Sequence, residues 1–393
     1  MFFNFFLAWI GCILFAYFAI NLPTIGGLEG LKSKLDSSKI LFFPNGSSGT
    51  LPWDHFLILL TVLWWSSWYP GSEPGGGGYI AQRILATKNE DAALKGSLWF
   101  VIAHYFVRPW PWILVALVSL LLYPNLSEVE SGKGFLMVLQ EGMPSGMMGL
   151  MLSAFLAAYL STLATHLNWG ASYLVNDLWK PILEKGRSDS YYLKVSYAVQ
   201  ILTAICSFFL AVYGMETIKG AWVFLLEASS GIGFILIVRW FFWRISAWTE
   251  ILAFVLSPLL YLLFSVYLKV EFPYSVLYTS LTASVLLILS TYILPNTDRD
   301  VLVRFYETTK PPFFFWKGLF QQEPNQKQTI YENRLGISLL GTLSGLSFVF
   351  GGLYTIQCLV WKEGNLLIGF PVFLLGLLGL YFSLRSLQNQ SGN

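Results

Sequence analysis

The sequence predicts an all-α polytopic membrane protein with about ten transmembrane helices. Three observations carry this. Hydrophobic residues make up 55% of the 393 positions, and charged residues only 12%, where soluble domains carry about 25%. Mean hydropathy is +0.59. Apolar runs long enough to cross a bilayer, about 20 residues each, recur from one end of the chain to the other.

The runs fall at about 2–22, 55–85, 98–123, 146–175, 194–213, 218–243, 251–268, 276–294, 336–360 and 366–384. The first opens with MFFNFF, which has no Lys or Arg, so it reads as a retained span rather than a cleaved signal peptide. The second is interrupted by prolines and glycines. The fourth exceeds the minimum length, which predicts a tilted helix. Trp and Tyr gather near span ends, as interfacial belts require.

Loop charges set the expected orientation. With the loop after Leu85 inside, 15 of the 24 Lys and Arg face the cytoplasm, 7 face outside, and Arg108 and Arg239 stay within spans. Both termini are then cytoplasmic, in the cell's inner (plasma) membrane. The loops 23–54 and 124–145 lie outside. The 296–334 loop lies inside and mixes charge with FFFW, which predicts an interfacial amphipathic segment, too short to hold a core of its own.

Composition also excludes classes. The net charge of +2 gives no electrostatic footprint for nucleic acid. Cys12, Cys206 and Cys358 are widely separated inside apolar runs, and the three histidines lack metal-ligand spacing. There is no nucleophile elbow, HExxH or CxxC, and no carboxylate pair at helical spacing within a span, so enzymatic chemistry has no visible seat.

The candidates for function are polar features in apolar surroundings. In WYPGSEPGGGG, Pro70, Gly71, Pro74 and Gly75 to Gly78 remove helix hydrogen bonds and loosen the backbone. Unwound backbone at membrane depth lines a cavity or is buried in protein. This break is therefore a candidate substrate site, with Trp68, Tyr69, Glu73, Gly75 and Gly76 as its residues and a surface loop as the plainer account. Arg108 and Glu227 are charges within spans, a placement that favours the bundle interior or a water path.

The stretch 150–181, LMLSAFLAAYLSTLATHLNWGASYLVNDLWKP, is apolar yet carries Ala158, Ser161 and Thr162 at i, i+3 and i+4 on one helical face. Small hydroxyl residues let another backbone approach closely, or they offer hard oxygen ligands to a cation such as sodium. The residues alone leave both readings open.

The run MPSGMMGLMLSAFLAAYLSTLATHLNWGASYLVNDLWKP resembles the signature of the sodium:solute symporter family, with its Ala-Ala pair, Ser-Thr pair and Asp before Leu-aromatic-Lys. GGYIAQRILATKNEDAALKG is similar to the family's stretch after its broken sixth core helix, and IVRWFFWRISAWTE to the end of its tenth. The resemblance covers residues 1–270 and implies a leucine-transporter-like inverted repeat. It also implies sodium-driven uptake of a small organic solute by alternating access, with Ala158, Ser161 and Thr162 helping to bind sodium. By this resemblance, 1–270 holds core helices five to ten and a first extra helix, and 271–393 holds further C-terminal helices. The first four core helices would lie elsewhere, including the one that completes the sodium site, so a separate N-terminal half is an expected partner. Two alternatives stand beside this: a non-transporting membrane sensor or interaction subunit, and a proton-coupled carrier using Glu73, Arg108 and Glu227.

Overall fold

The computed structural model describes residues 2–44, 46, 51–63, 83–127, 130–214, 217–320 and 335–391. All regular structure among them is helical. In chain order the helices are α1 (Phe2–Ile20), α2 (Gly27–Lys34), α3 (Trp53–Ile58), α4 (Glu90–Val101), α5 (Pro109–Leu122), α6 (Ser131–Gly142), α7 (Ser145–Tyr173) and α8 (Asp189–Tyr213). They continue with α9 (Ile218–Ser229), α10 (Gly233–Val238), α11 (Ala247–Tyr261), α12 (Tyr274–Ser290), α13 (Arg299–Thr309), α14 (Phe313–Phe320), α15 (Leu335–Ile356) and α16 (Leu366–Ser391). Several end in π-helical turns, including Leu174–Leu183 after α7 and Leu262–Tyr267 after α11.

Among the described residues, 6 helical runs are long and apolar enough to cross a membrane: Glu90–Leu122, Ser145–Leu183, Asp189–Tyr213, Ala247–Tyr267, Leu335–Trp361 and Leu366–Ser386. Shorter apolar helices, Trp9–Ile20, Trp53–Leu63 and Tyr274–Ser290, fall on three further expected spans. The remaining one, 218–243, is not a continuous helix: it divides into α9 and α10. The chain is thus an all-α polytopic membrane protein.

Two compact units form. The first holds residues 1–35 and 108–221. Cys12, Phe15, Ala16 and Ala19 of α1 are buried at i, i+3, i+4 and i+7, the stripe of a helix packed along one face. α1 packs against α5 and α6, where Val115 and Val118 of α5 and Val138 and Leu139 of α6 are equally buried. Phe135 anchors this core, edge-on to Phe15 at 5.0 Å and stacked on Trp112 at 5.2 Å. Small residues set the helix spacing: a Cβ on Gly134 would lie 2.2 Å from the Ser119 hydroxyl. In contrast α7 buries little besides Met151 and Ala171. It joins α8 through Gln200 Nε2, which donates to Asn168 Oδ1 at 2.7 Å.

The second unit holds residues 36–107 and 222–393. Its tightest pairing is the α15–α16 hairpin. Small residues face each other along it: a Cβ on Gly376 would lie 2.3 Å from the Phe348 backbone nitrogen, and one on Gly379 would lie 2.1 Å from the Ser344 hydroxyl. Between apolar helices in lipid, such close approach supplies the van der Waals contact that hydrophobic burial cannot. A second core gathers Ile235, Ile245, Ala253, Leu260, Ala283 and Leu287 from α10, α11, α12 and the turn before α11.

The 296–334 loop departs from expectation in its described part. Rather than an amphipathic segment without a core, α13 and α14 bury Leu302, Tyr306, Trp316, Leu319 and Phe320 together. Pro311 and Pro312 separate the two helices and bring the FFFW run back against Tyr306. Trp316 is 1% exposed and Phe314 80% exposed, so the aromatics divide between core and surface.

Candidate functional site

Ala158, Ser161 and Thr162 lie on α7, and all three are exposed. Among the described residues nothing caps the Ser161 or Thr162 hydroxyls. Their carbonyls are engaged within the helix: Thr165 Oγ1 donates to Ser161 O at 2.8 Å, and His166 Nδ1 lies 2.9 Å from Thr162 O. Ser153 Oγ similarly bonds Gly149 O. Hydroxyls that fold back onto the helix ladder are spent locally; those of Ser161 and Thr162 are not. Two outward hydroxyl oxygens one residue apart, beside a small alanine, form a donor set suited to a hard cation.

The proposed substrate residues Trp68, Tyr69, Glu73, Gly75 and Gly76 lie outside the described residues. What is described of that span is α3 and its π-helical extension to Leu63. Asp54, at its start, accepts from the Tyr274 hydroxyl of α12.

Arg108 is exposed at the N-cap position of α5, where the chain passes from one unit into the other, and it acts electrostatically on Cys12 of α1. It lies within the apolar run Glu90–Leu122, as expected, at the turn before Pro109 where α5 begins. The other charge expected within a span, Arg239, forms an ion pair with Glu250: its Nη1 lies 3.1 Å from both carboxylate oxygens.

Among the described residues Glu227 is the most buried charged side chain, with 6% of its surface exposed. It sits two residues before the end of α9, and the helix breaks over 230–232 before α10 resumes. Serines satisfy the carbonyls that the break frees. Ser257 Oγ of α11 donates to Ala228 O at 2.7 Å and accepts from Gly231 N at 2.9 Å. Ser280 Oγ of α12 donates to Ser230 O at 2.7 Å, and Ser230 Oγ to Glu227 O at 2.9 Å. Gly231 is required there: a Cβ would lie 2.8 Å from that of Ala283 and 2.9 Å from Ser257 Oγ. Ser275 Oγ of α12 donates to the Glu227 carboxylate itself.

Sequence reasoning found Glu227 and missed Ser257, Ser275, Thr279 and Ser280, all fully buried. The available signal was Ser275 and Thr279 at i and i+4, a polar face on an apolar helix.

Multiple apolar helices, one of them broken beside a buried carboxylate, define a polytopic membrane protein. Comparison with known proteins agrees. The model of the sodium:solute symporter family matches residues 9–244. Sodium/myo-inositol cotransporter 2 of Rattus norvegicus is 24% identical over 244 residues, covering 54% of this chain and 35% of that protein. The proteins of the same name from Sus scrofa and Homo sapiens are each 24% identical over 240 residues, 52% of this chain and 34% of theirs. The chain belongs to the sodium:solute symporter family, whose members are transporters rather than enzymes. It spans about a third of the length of the curated relatives it matches.

Proposed function

We propose that this chain is part of a sodium-coupled symporter of small organic solutes, working by alternating access, and that α7 carries one wall of its sodium site. The observation that carries this is the pair of uncapped hydroxyls on Ser161 and Thr162, beside Ala158, in a chain of this family. Sodium is cargo here, not a resident group. The side chains of Ser161 and Thr162 would meet it, and oxygens from another helix would complete its shell.

Chain preceding these residues or a separate N-terminal half would supply that other helix. Substrate would bind near Trp68, Tyr69, Glu73, Gly75 and Gly76, where backbone freed by the glycines offers hydrogen bonds. The relatives' name makes polyols the first substrate class to test. Both termini would face the cytoplasm of a plasma-membrane protein, following the Lys and Arg bias.

Reconstitution tests the proposal. Liposomes holding residues 1–393 alone should show no sodium-driven uptake, and co-reconstitution with the missing core helices should restore it. Robust uptake by the chain alone contradicts the missing-wall reading.

A further inference from the structure

We infer that Glu227 and the hydroxyls around it form a second small-cation site, separate from Ser161 and Thr162, and that it holds sodium. The inference does not depend on the coupling site proposed on α7.

The first observation is a buried carboxylate without a cationic neighbour. Among the described residues no Lys or Arg pairs with Glu227. Taking a lone charge out of water and leaving it uncompensated is strongly unfavourable. The neighbouring titratable side chain is Tyr261 of α11, which brings no positive charge.

The second observation concerns a hydroxyl with nothing to do. Thr279 is fully buried one turn beyond Ser275 on the same face of α12, and its Oγ1 has no hydrogen-bond partner. Ser265, in the π-helical turn after α11, presents its hydroxyl to the Glu227 carboxylate. Buried polar atoms are almost always paired, so the unpaired Thr279 hydroxyl, one turn from the serine that holds Glu227, points to a missing ligand.

The third observation separates this cluster from ordinary packing. The break already has its own caps: Ser257, Ser280 and Ser230 satisfy its carbonyls. Ser275, Thr279 and Ser265 are therefore not needed to hold the backbone. A carboxylate with the Ser275 and Ser265 hydroxyls, and Thr279 one turn beyond Ser275, is a hard, all-oxygen donor set. An ion there supplies the absent positive charge and gives the orphan Thr279 oxygen a partner.

The test uses the full chain purified in detergent, in a Ser161→Ala, Thr162→Ala background, so that any remaining binding reports on the Glu227 cluster. The probe is equilibrium binding of radioactive sodium, displaced by NaCl or by KCl. The expected result is saturable binding displaced by NaCl and not by KCl. Glu227→Gln should weaken it at least tenfold, and Ser275→Ala and Thr279→Val severalfold each. Size-exclusion profile and melting in KCl check that each variant is folded. Should Glu227→Gln not fold, Thr279→Val, which keeps side-chain volume, decides the matter. Absence of sodium binding in the background chain overturns the inference, as do folded variants that bind like it. Proton release on raising pH with no sodium displacement also overturns it, and marks Glu227 as a protonated acid instead. None of these outcomes bears on the α7 site, which its own transport assay tests.

Discussion

Ser275 of α12 donates its hydroxyl hydrogen to the carboxylate of Glu227, 48 residues earlier in the chain on α9. The contact joins a broken helix to its neighbour at the deepest charge in the described residues. Removing the donor leaves a buried acceptor short of one bond, which costs about 1–3 kcal/mol. Ser275→Ala should lower unfolding stability in detergent by that amount. Adding Glu227→Gln to Ser275→Ala should cost less than the two separate changes summed, because the pair acts as a unit. Strict additivity in the double-mutant cycle would show that the two residues are not coupled.

The α15–α16 hairpin gives a prediction of two signs. Gly376→Ala places a Cβ 2.3 Å from the Phe348 backbone nitrogen, so the helices must separate, at about 3 kcal/mol. Gly336→Ala, in the same hairpin, meets nothing within 4 Å. It should stabilise by about 0.5–1 kcal/mol through helix propensity alone. Thermal melts of the two variants check both signs.

Trp316 and Phe314 stand two residues apart on α14 yet should behave oppositely. Trp316→Ala removes a ring at 1% exposure from the α13–α14 core and should cost about 3–5 kcal/mol locally. Phe314→Ala, at 80% exposure, should leave that core intact. Hydrogen exchange over 299–320 reads the difference: fast exchange in the first variant and unchanged protection in the second.

The Arg239–Glu250 pair should matter much less. Its side chains are 34% and 28% exposed, so screening limits the pair to about 1 kcal/mol. Arg239→Ala should therefore shift the unfolding midpoint slightly, and less so at high salt. A large, salt-insensitive loss would mean the pair is dry in the membrane.

The helices were legible because span length and hydropathy are local properties. Nine of the ten expected runs meet an apolar helix among the described residues. The break at 230–232 was not legible as a break, because GIGFILIV continues the apolar run without a proline. What permits it is tertiary: Ser257 and Ser280 cap its carbonyls from 29 and 50 residues away. The small core of α13 and α14 was missed for a similar reason. Loop length argued against it, but a turn at Pro311 and Pro312 folds FFFW onto Leu302 and Tyr306. On α7 the periodicity found the polar face, while only the structure distinguishes Thr165, bonded to its own helix, from the uncapped Ser161 and Thr162.

Sodium coupling through α7 is the central claim, and uptake in liposomes tests it most directly. The chain is reconstituted with the core helices proposed to complete the site, and solute uptake is measured with and without a sodium gradient. The account predicts sodium-dependent uptake that is lost in both Ser161→Ala and Thr162→Ala, with protein still folded and inserted. Uptake that follows a proton gradient and survives both substitutions would contradict it.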